Sequence, residues 1–125
     1  MNNNKDNRRY KSGLLGEELA LKELQKLGFS LVEHRYKTKS GEIDLIVKSN
    51  EKKMIVFVEV KRRKEVYDYD CVVSKPQWKR ILEASEEFLQ QHWDEYKDFQ
   101  VRFDEFIFFT NNSNFHHIEN IIPDE

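Results

Sequence analysis

Met54-Ile55-Val56-Phe57-Val58-Glu59-Val60-Lys61 is the stretch on which the fold turns. It is rich in β-branched residues and apolar at both parities until a carboxylate and an ammonium close it. A strand that is apolar on both faces belongs in the centre of a sheet covered on both sides. Alternate side chains of a strand point to opposite faces. Glu59 and Lys61 therefore share a face with Ile55 and Phe57, while Met54, Val56, Val58 and Val60 form the other. Burying either charge without a partner is costly, so the two must pair, bind a metal, or sit at an open end of the sheet.

Upstream, Glu42 to Lys48 reads as a second strand, joined to the first by the hairpin loop Ser49-Asn50-Glu51-Lys52-Lys53. Such a hairpin can bring Asp44 beside Glu59. Two adjacent carboxylates repel, and a hard divalent cation with oxygen ligands relieves the repulsion. Phe29 to Tyr36 reads as a further extended segment. Before it, Ser12 is placed to cap a helix that runs to about Leu27 and stops at Gly28.

Downstream, Pro76 suits the first turn of a second helix. Its Trp78, Ile81, Leu82, Leu89, Trp93 and Tyr96 recur at helical spacing and predict one buried face. Gln100 to Phe109 alternates through Val101, Phe103, Ile107 and Phe109 as a strand, and Phe115 to Ile122 reads as a last short one. This order predicts an α/β fold, a mixed β-sheet flanked by helices. The sequence predicts a single domain over residues 12–125 and a flexible basic tail over residues 1–11, with Lys5, Arg8, Arg9 and Lys11.

Composition narrows the classes. The 125 residues suffice for one core, and charged residues are 35% of the chain with a net charge of -2, so any basic surface must be local. A lone cysteine, Cys71, excludes an intrachain disulfide or a cysteine-cluster metal site and fits a reducing compartment. No apolar run approaches the ~20 residues of a membrane span. The chain reads as soluble and cytoplasmic, without a membrane partner.

The first helix supplies another acid. On a helical wheel the apolar residues Leu14, Leu15, Leu19, Ala20, Leu21, Leu24 and Leu27 centre roughly 35° from Glu17, whereas Glu18 points away. Glu17 should face the sheet. Ordinary structural readings exist for each residue: a strand-end ion pair for Glu59 and Lys61, a solvent-facing strand position for Asp44, and a helix N-terminal carboxylate for Glu17. His116 and His117 fall on opposite faces of a strand, which speaks against joint metal ligation, and Arg102 with Asp104 reads as a structural ion pair.

Four blocks, Gly13-x-x-Gly16-Glu17-x-x-Ala20, Gly41-Glu42-Ile43-Asp44-Leu45-Ile46, Phe57-Val58-Glu59-Val60-Lys61-x-Arg63 and Arg102-Phe103-Asp104, resemble the successive motifs of the YraN-like family. That family is assigned to the PD-(D/E)XK nuclease superfamily and is similar to archaeal Holliday junction resolvases. The resemblance implies a restriction-endonuclease-like core. It implies Asp44 and Glu59 as ligands of Mg²⁺ or Mn²⁺, Lys61 as the catalytic lysine, and Glu17 as the helix-borne acid. Ile43 stands where the superfamily name has proline, and Gln77 stands where relatives often carry lysine. The expected function is metal-dependent hydrolysis of phosphodiester bonds in DNA, including branched or recombination intermediates. Resemblance to resolvases also implies a homodimer, since two strands need two sites. Arg62, Arg63, Lys64, Lys75, Gln77 and Lys79 are the expected nucleic-acid contacts. The rival is a non-catalytic nucleic-acid-binding or assembly module that kept the fold.

Overall fold

The computed structural model describes residues 4–64, 73–112 and 114–121, with side chains of the first helix described from residue 15 onward. Cys71 and Ile122 lie outside the described residues. Helix α1 spans Asn4–Lys26 and is followed by strands β1 (Ser30–Lys37), β2 (Glu42–Ser49) and β3 (Met54–Arg63). Helices α2 (Lys75–Gln91) and α3 (Trp93–Tyr96) then lead to β4 (Gln100–Phe109) and β5 (Phe115–Ile118). The five strands form one sheet in the order β1-β2-β3-β4-β5. β3 and β4 are parallel and the other neighbours antiparallel, so the sheet is mixed. A parallel neighbour cannot be reached by a tight hairpin, which is why the connection from β3 to β4 carries α2 and α3.

The two faces of β3 pack as its sequence predicts. Val56 and Val58, with Met54 and Val60 at the margins, meet Ala20 and Leu24 of α1 on one face. Ile55 and Phe57 meet Ala84 and Phe88 of α2 on the other. The chain is thus a three-layer α/β structure with helices flanking the sheet, consistent with a restriction-endonuclease-like core.

Local chemistry sets the element ends. Gly28 takes φ +94, its N–H donates to Gln25 O, and the Phe29 N–H donates to Leu24 O. These two bonds make the Schellman stop expected at that glycine. The start of α1 differs from the expectation. The helix begins upstream of Ser12, which becomes an interior position rather than a cap. No glycine or proline interrupts residues 4–11, and Lys and Arg propagate helix well. In α2, Ser74 is the cap, its Oγ accepting from the Gln77 N–H, with Pro76 in the first turn. Trp93 is 59% exposed instead of buried. The reason is a break in phase: α2 ends at Gln91, and His92, at φ -121, restarts the helix so that Tyr96 faces the core and Trp93 does not.

Asp104 anchors the far side of the sheet. Fully buried, it accepts from Arg102 Nε and Nη2 at 2.9 and 2.8 Å and from the Asn120 N–H at 3.0 Å. His117 Nε2 lies 2.8 Å from Asp104 Oδ2. Arg102 and Asp104 form the structural pair expected from their shared face, and His117 stacks on Phe106 at 4.1 Å. Burial alone would raise the Asp104 pKa, but hydrogen bonds from His117, Arg102 and Asn120 and the Arg102 charge hold it below its ordinary value.

A lowered folded-state pKa stabilises the fold fully above the unfolded value of 3.8, and the gain is lost as pH falls through the folded value. Asp104→Asn should therefore cost about 3 kcal/mol in denaturant unfolding at neutral pH, because it removes the fully buried carboxylate that Arg102, His117 and the Asn120 N–H all engage. The difference from wild type should shrink below pH 3.8.

Candidate functional site

The chemistry gathers at one end of the three central strands. β2 and β3 pair with Leu45 opposite Val58, so the next position along sets Asp44 against Glu59. β3 and β4 pair with Glu59 beside Glu105. On the outer side, β1 pairs with β2 through His34 opposite Leu45 and Tyr36 opposite Ile43, so Arg35 falls opposite Asp44. Arg35, Asp44, Glu59 and Glu105 therefore occupy one row of positions across four strands.

Each carboxylate in this row is held. Asp44 Oδ2 accepts from the Val60 N–H at 2.7 Å. Glu59 Oε1 accepts from Gln77 Nε2 at 3.2 Å, so the start of α2 touches the row directly. That approach is close: a Cβ on Gly41 would come within 3.0 Å of Arg80 Cβ and 3.1 Å of Arg80 O. The glycine just before β2 thus lets α2 settle over this end of the sheet. Lys61 Nζ lies 3.4 Å from Glu105 Oε2, with the lysine side chain 10% exposed and the glutamate fully buried.

Crowding shifts the central pair. Burial, the Asp44 charge and a hydrogen bond with Asp44 push Glu59 up to about 9, against a partial lowering by Lys61. Burial and the Glu17 charge raise Asp44 to about 6, opposed by the Val60 N–H and by the hydrogen bond with Glu59. Burial and mutual repulsion thus disfavour simultaneous ionisation of the two carboxyls. Asp44 and Glu59 are the residues that could hold a hard cation: adjacent oxygen donors whose repulsion it would relieve. Among the described residues no group of three or more His, Cys, Asp or Glu is set to hold a metal. Such an ion would need waters or substrate oxygens to complete its shell, as Mg²⁺ ordinarily does.

Glu17 does face inward, 5% exposed, while Glu18 is exposed, as the wheel predicts. Its carboxylate is engaged, however. Arg35 Nε lies 3.2 Å from both oxygens, Arg35 Nη2 donates to Oε2 at 2.8 Å, and His34 Nε2 lies 3.1 Å from Oε1. A cavity of about 180 Å³ opens beside it, lined by Glu17, Arg35, Asp44, Val60, Lys61 and Arg62 among others.

Of the expected nucleic-acid contacts, Arg62 lines that cavity and Gln77 turns inward to Glu59. Arg63 donates to the Arg62 carbonyl, and Arg63, Lys64, Lys75 and Lys79 lie outside the cavity lining. Two residues escaped the sequence reading. Glu105 lies in the alternation of Val101, Phe103, Ile107 and Phe109, an acid on an apolar face, which is the signal that singled out Glu59. Arg35 carried no comparable signal, because its place depends on a backbone at φ 54.

A raised folded-state pKa stabilises the fold below the unfolded value and loses that contribution as pH rises through the folded one. In chelator, stability should therefore decline between about pH 4.5 and 9. Glu59→Gln should remove most of that slope and raise stability at pH 8 by on the order of 2 kcal/mol, read from thermal or urea unfolding.

Residues 16–107 match the family described as Uncharacterised protein family UPF0102, which is the YraN family. A UPF0102 protein of Rhodopseudomonas palustris (strain BisB18) is 35% identical over 95 residues, covering 76% of this chain and 68% of the relative. One from strain ATCC BAA-98 / CGA009 is 34% identical over 104 residues, covering 83% and 78%. One from Brachyspira hyodysenteriae is 43% identical over 81 residues, covering 62% and 65%. With a match that runs from α1 through β1, β2, β3 and α2 into β4 and takes in the whole charged row, the chain belongs to family UPF0102 of the PD-(D/E)XK nuclease-like superfamily.

Proposed function

We propose that this protein hydrolyses phosphodiester bonds in DNA, branched or recombination intermediates included, with Mg²⁺ or Mn²⁺ held by Asp44 and Glu59. The observation that carries this reading is geometric: Asp44 stands opposite Glu59, with the nearly buried Lys61 two residues along β3, and Asp44 and Lys61 both line the cavity. Each member has a role that its surroundings support. The Val60 N–H orients Asp44, and the Gln77 amide orients Glu59. Lys61, two residues along β3, orients the attacking water or neutralises charge developing on the phosphate. Arg62 at the cavity margin takes up a neighbouring phosphate. Asp44 and Glu59 would hold the cation, which would supply polarisation of the phosphate and a lowered pKa for the attacking water. A homodimer would supply the second site that cutting both strands of a junction requires. No helix among the described residues is long and apolar enough to cross a membrane.

One observation favours a different class. Gln77 is neutral and faces Glu59, so α2 brings no cation to the row at that position. A module that binds nucleic acid without turnover would tolerate this. The two readings separate when purified protein is incubated with junction, flapped, single-stranded and duplex DNA in Mg²⁺ or Mn²⁺. The enzyme predicts cleavage that falls roughly a hundredfold or more in both Asp44→Ala and Glu59→Ala. Salt-sensitive binding without cleavage, indifferent to those substitutions, would establish the binding module instead.

A further inference from the structure

Adjacent residues of a regular strand point to opposite faces, yet His34 and Arg35 of β1 both reach the same carboxylate, that of Glu17. The chain achieves this with a register shift between Leu31 and Glu33 and with Arg35 itself at φ 54. The left-handed region is unfavourable for an arginine, and such strain persists only where its surroundings over-determine it. Here they do so with a buried acid. The Glu17 carboxylate grips Arg35 through Nε and Nη2, fixing the plane of a guanidinium whose side chain remains 28% exposed. The guanidinium borders the cavity that Asp44, Lys61 and Arg62 also line. Three cationic groups meet two carboxylates there, and Glu17 is matched by Arg35.

We infer that Arg35 binds a phosphate of the nucleic-acid backbone in this cavity, together with Arg62, and that Glu17 is the positioning residue that holds Arg35 in place. Glu17 then acts through the arginine rather than as a metal ligand. A planar guanidinium whose orientation is fixed, and which borders the cavity while 28% exposed, can meet a phosphate oxygen with geometric selectivity that a mobile surface lysine lacks. The assignment rests on the nucleic-acid reading of the site but not on turnover.

The test is binding to duplex and junction DNA in chelator across a salt series, with cleavage in Mg²⁺ measured separately. Arg35→Asn is the informative variant, because asparagine tolerates positive φ and removes the guanidinium. Where loss of the partner charge of Glu17 unfolds that variant, Glu17→Gln/Arg35→Asn restores neutrality and takes its place. The expected result is roughly tenfold weaker binding at low salt and a slope of log K against log salt reduced by about one phosphate. Glu17→Gln should weaken binding in the same direction, adding nothing once Arg35 is replaced, and should leave the metal concentration for half-maximal cleavage unchanged. Unaltered affinity and slope in a folded Arg35 variant overturn the inference while leaving the nuclease reading intact. So does a Glu17→Gln protein with a shifted metal requirement and normal DNA binding. Lost binding in the Arg35 variants of a protein that never cleaves supports the inference and overturns turnover. A wild type that binds no DNA overturns both.

Discussion

Four ionisable side chains set in one row across a buried sheet impose the constraint that organises this protein. Arg35, Asp44, Glu59 and Glu105 come from four different strands, and the registers bring them into line. A sheet covered on both faces offers little water to these groups, so each demands a partner from a neighbouring element. Glu17 is inward-facing on α1 and grips Arg35. Gln77 is where it is because α2 starts over β3, a position that Gly41 leaves room for. Lys61 closes β3 against Glu105 of β4. Remove the row and both helices lose a polar reason for their placement, leaving only the apolar contacts beneath.

Asp104 shows what the same fold does with an acid it keeps for structure. Asp104 sits one position before Glu105 on β4 and is also fully buried. Its oxygens collect a bidentate arginine, a histidine and a backbone N–H, and its pKa falls. Asp44 and Glu59 have fewer donors and face each other, and their pKa values rise. Parity decides which acid meets which environment. One Asp stabilises the sheet. The pair is held at a cost in stability, with Asp44 at the margin of the cavity.

Much of this was legible because periodicity reports burial. β3 announced itself as central through apolar residues at both parities, and the helical wheel separated Glu17 from Glu18 without any coordinates. The missed features belong to levels that periodicity does not report. Trp93 was misplaced because one residue, His92, resets the helical phase. Glu105 was passed over inside an alternation that counted only the apolar members of its face. Arg35 could not be seen at all: a regular β1 would send His34 and Arg35 to opposite sides, and only the left-handed backbone brings them together. Side-chain partners across strands likewise depend on register, which a single strand's pattern does not fix.

The internal pairing also bears on how such a site would work. Glu17 is engaged by Arg35, Glu59 by Gln77, and Lys61 by Glu105. A phosphate entering the cavity must compete with Glu17 and Glu105 for arginine and lysine. On the proposed function, the two ligands favour one another: the cation relieves the carboxylates that repel a phosphate, and the phosphate supplies oxygens that two carboxylates cannot. Metal and DNA would then bind with positive coupling, each making the site more hospitable to the other. The charge row, with three acids to one arginine and too few oxygens to complete a cation's shell, is the physical source of that coupling.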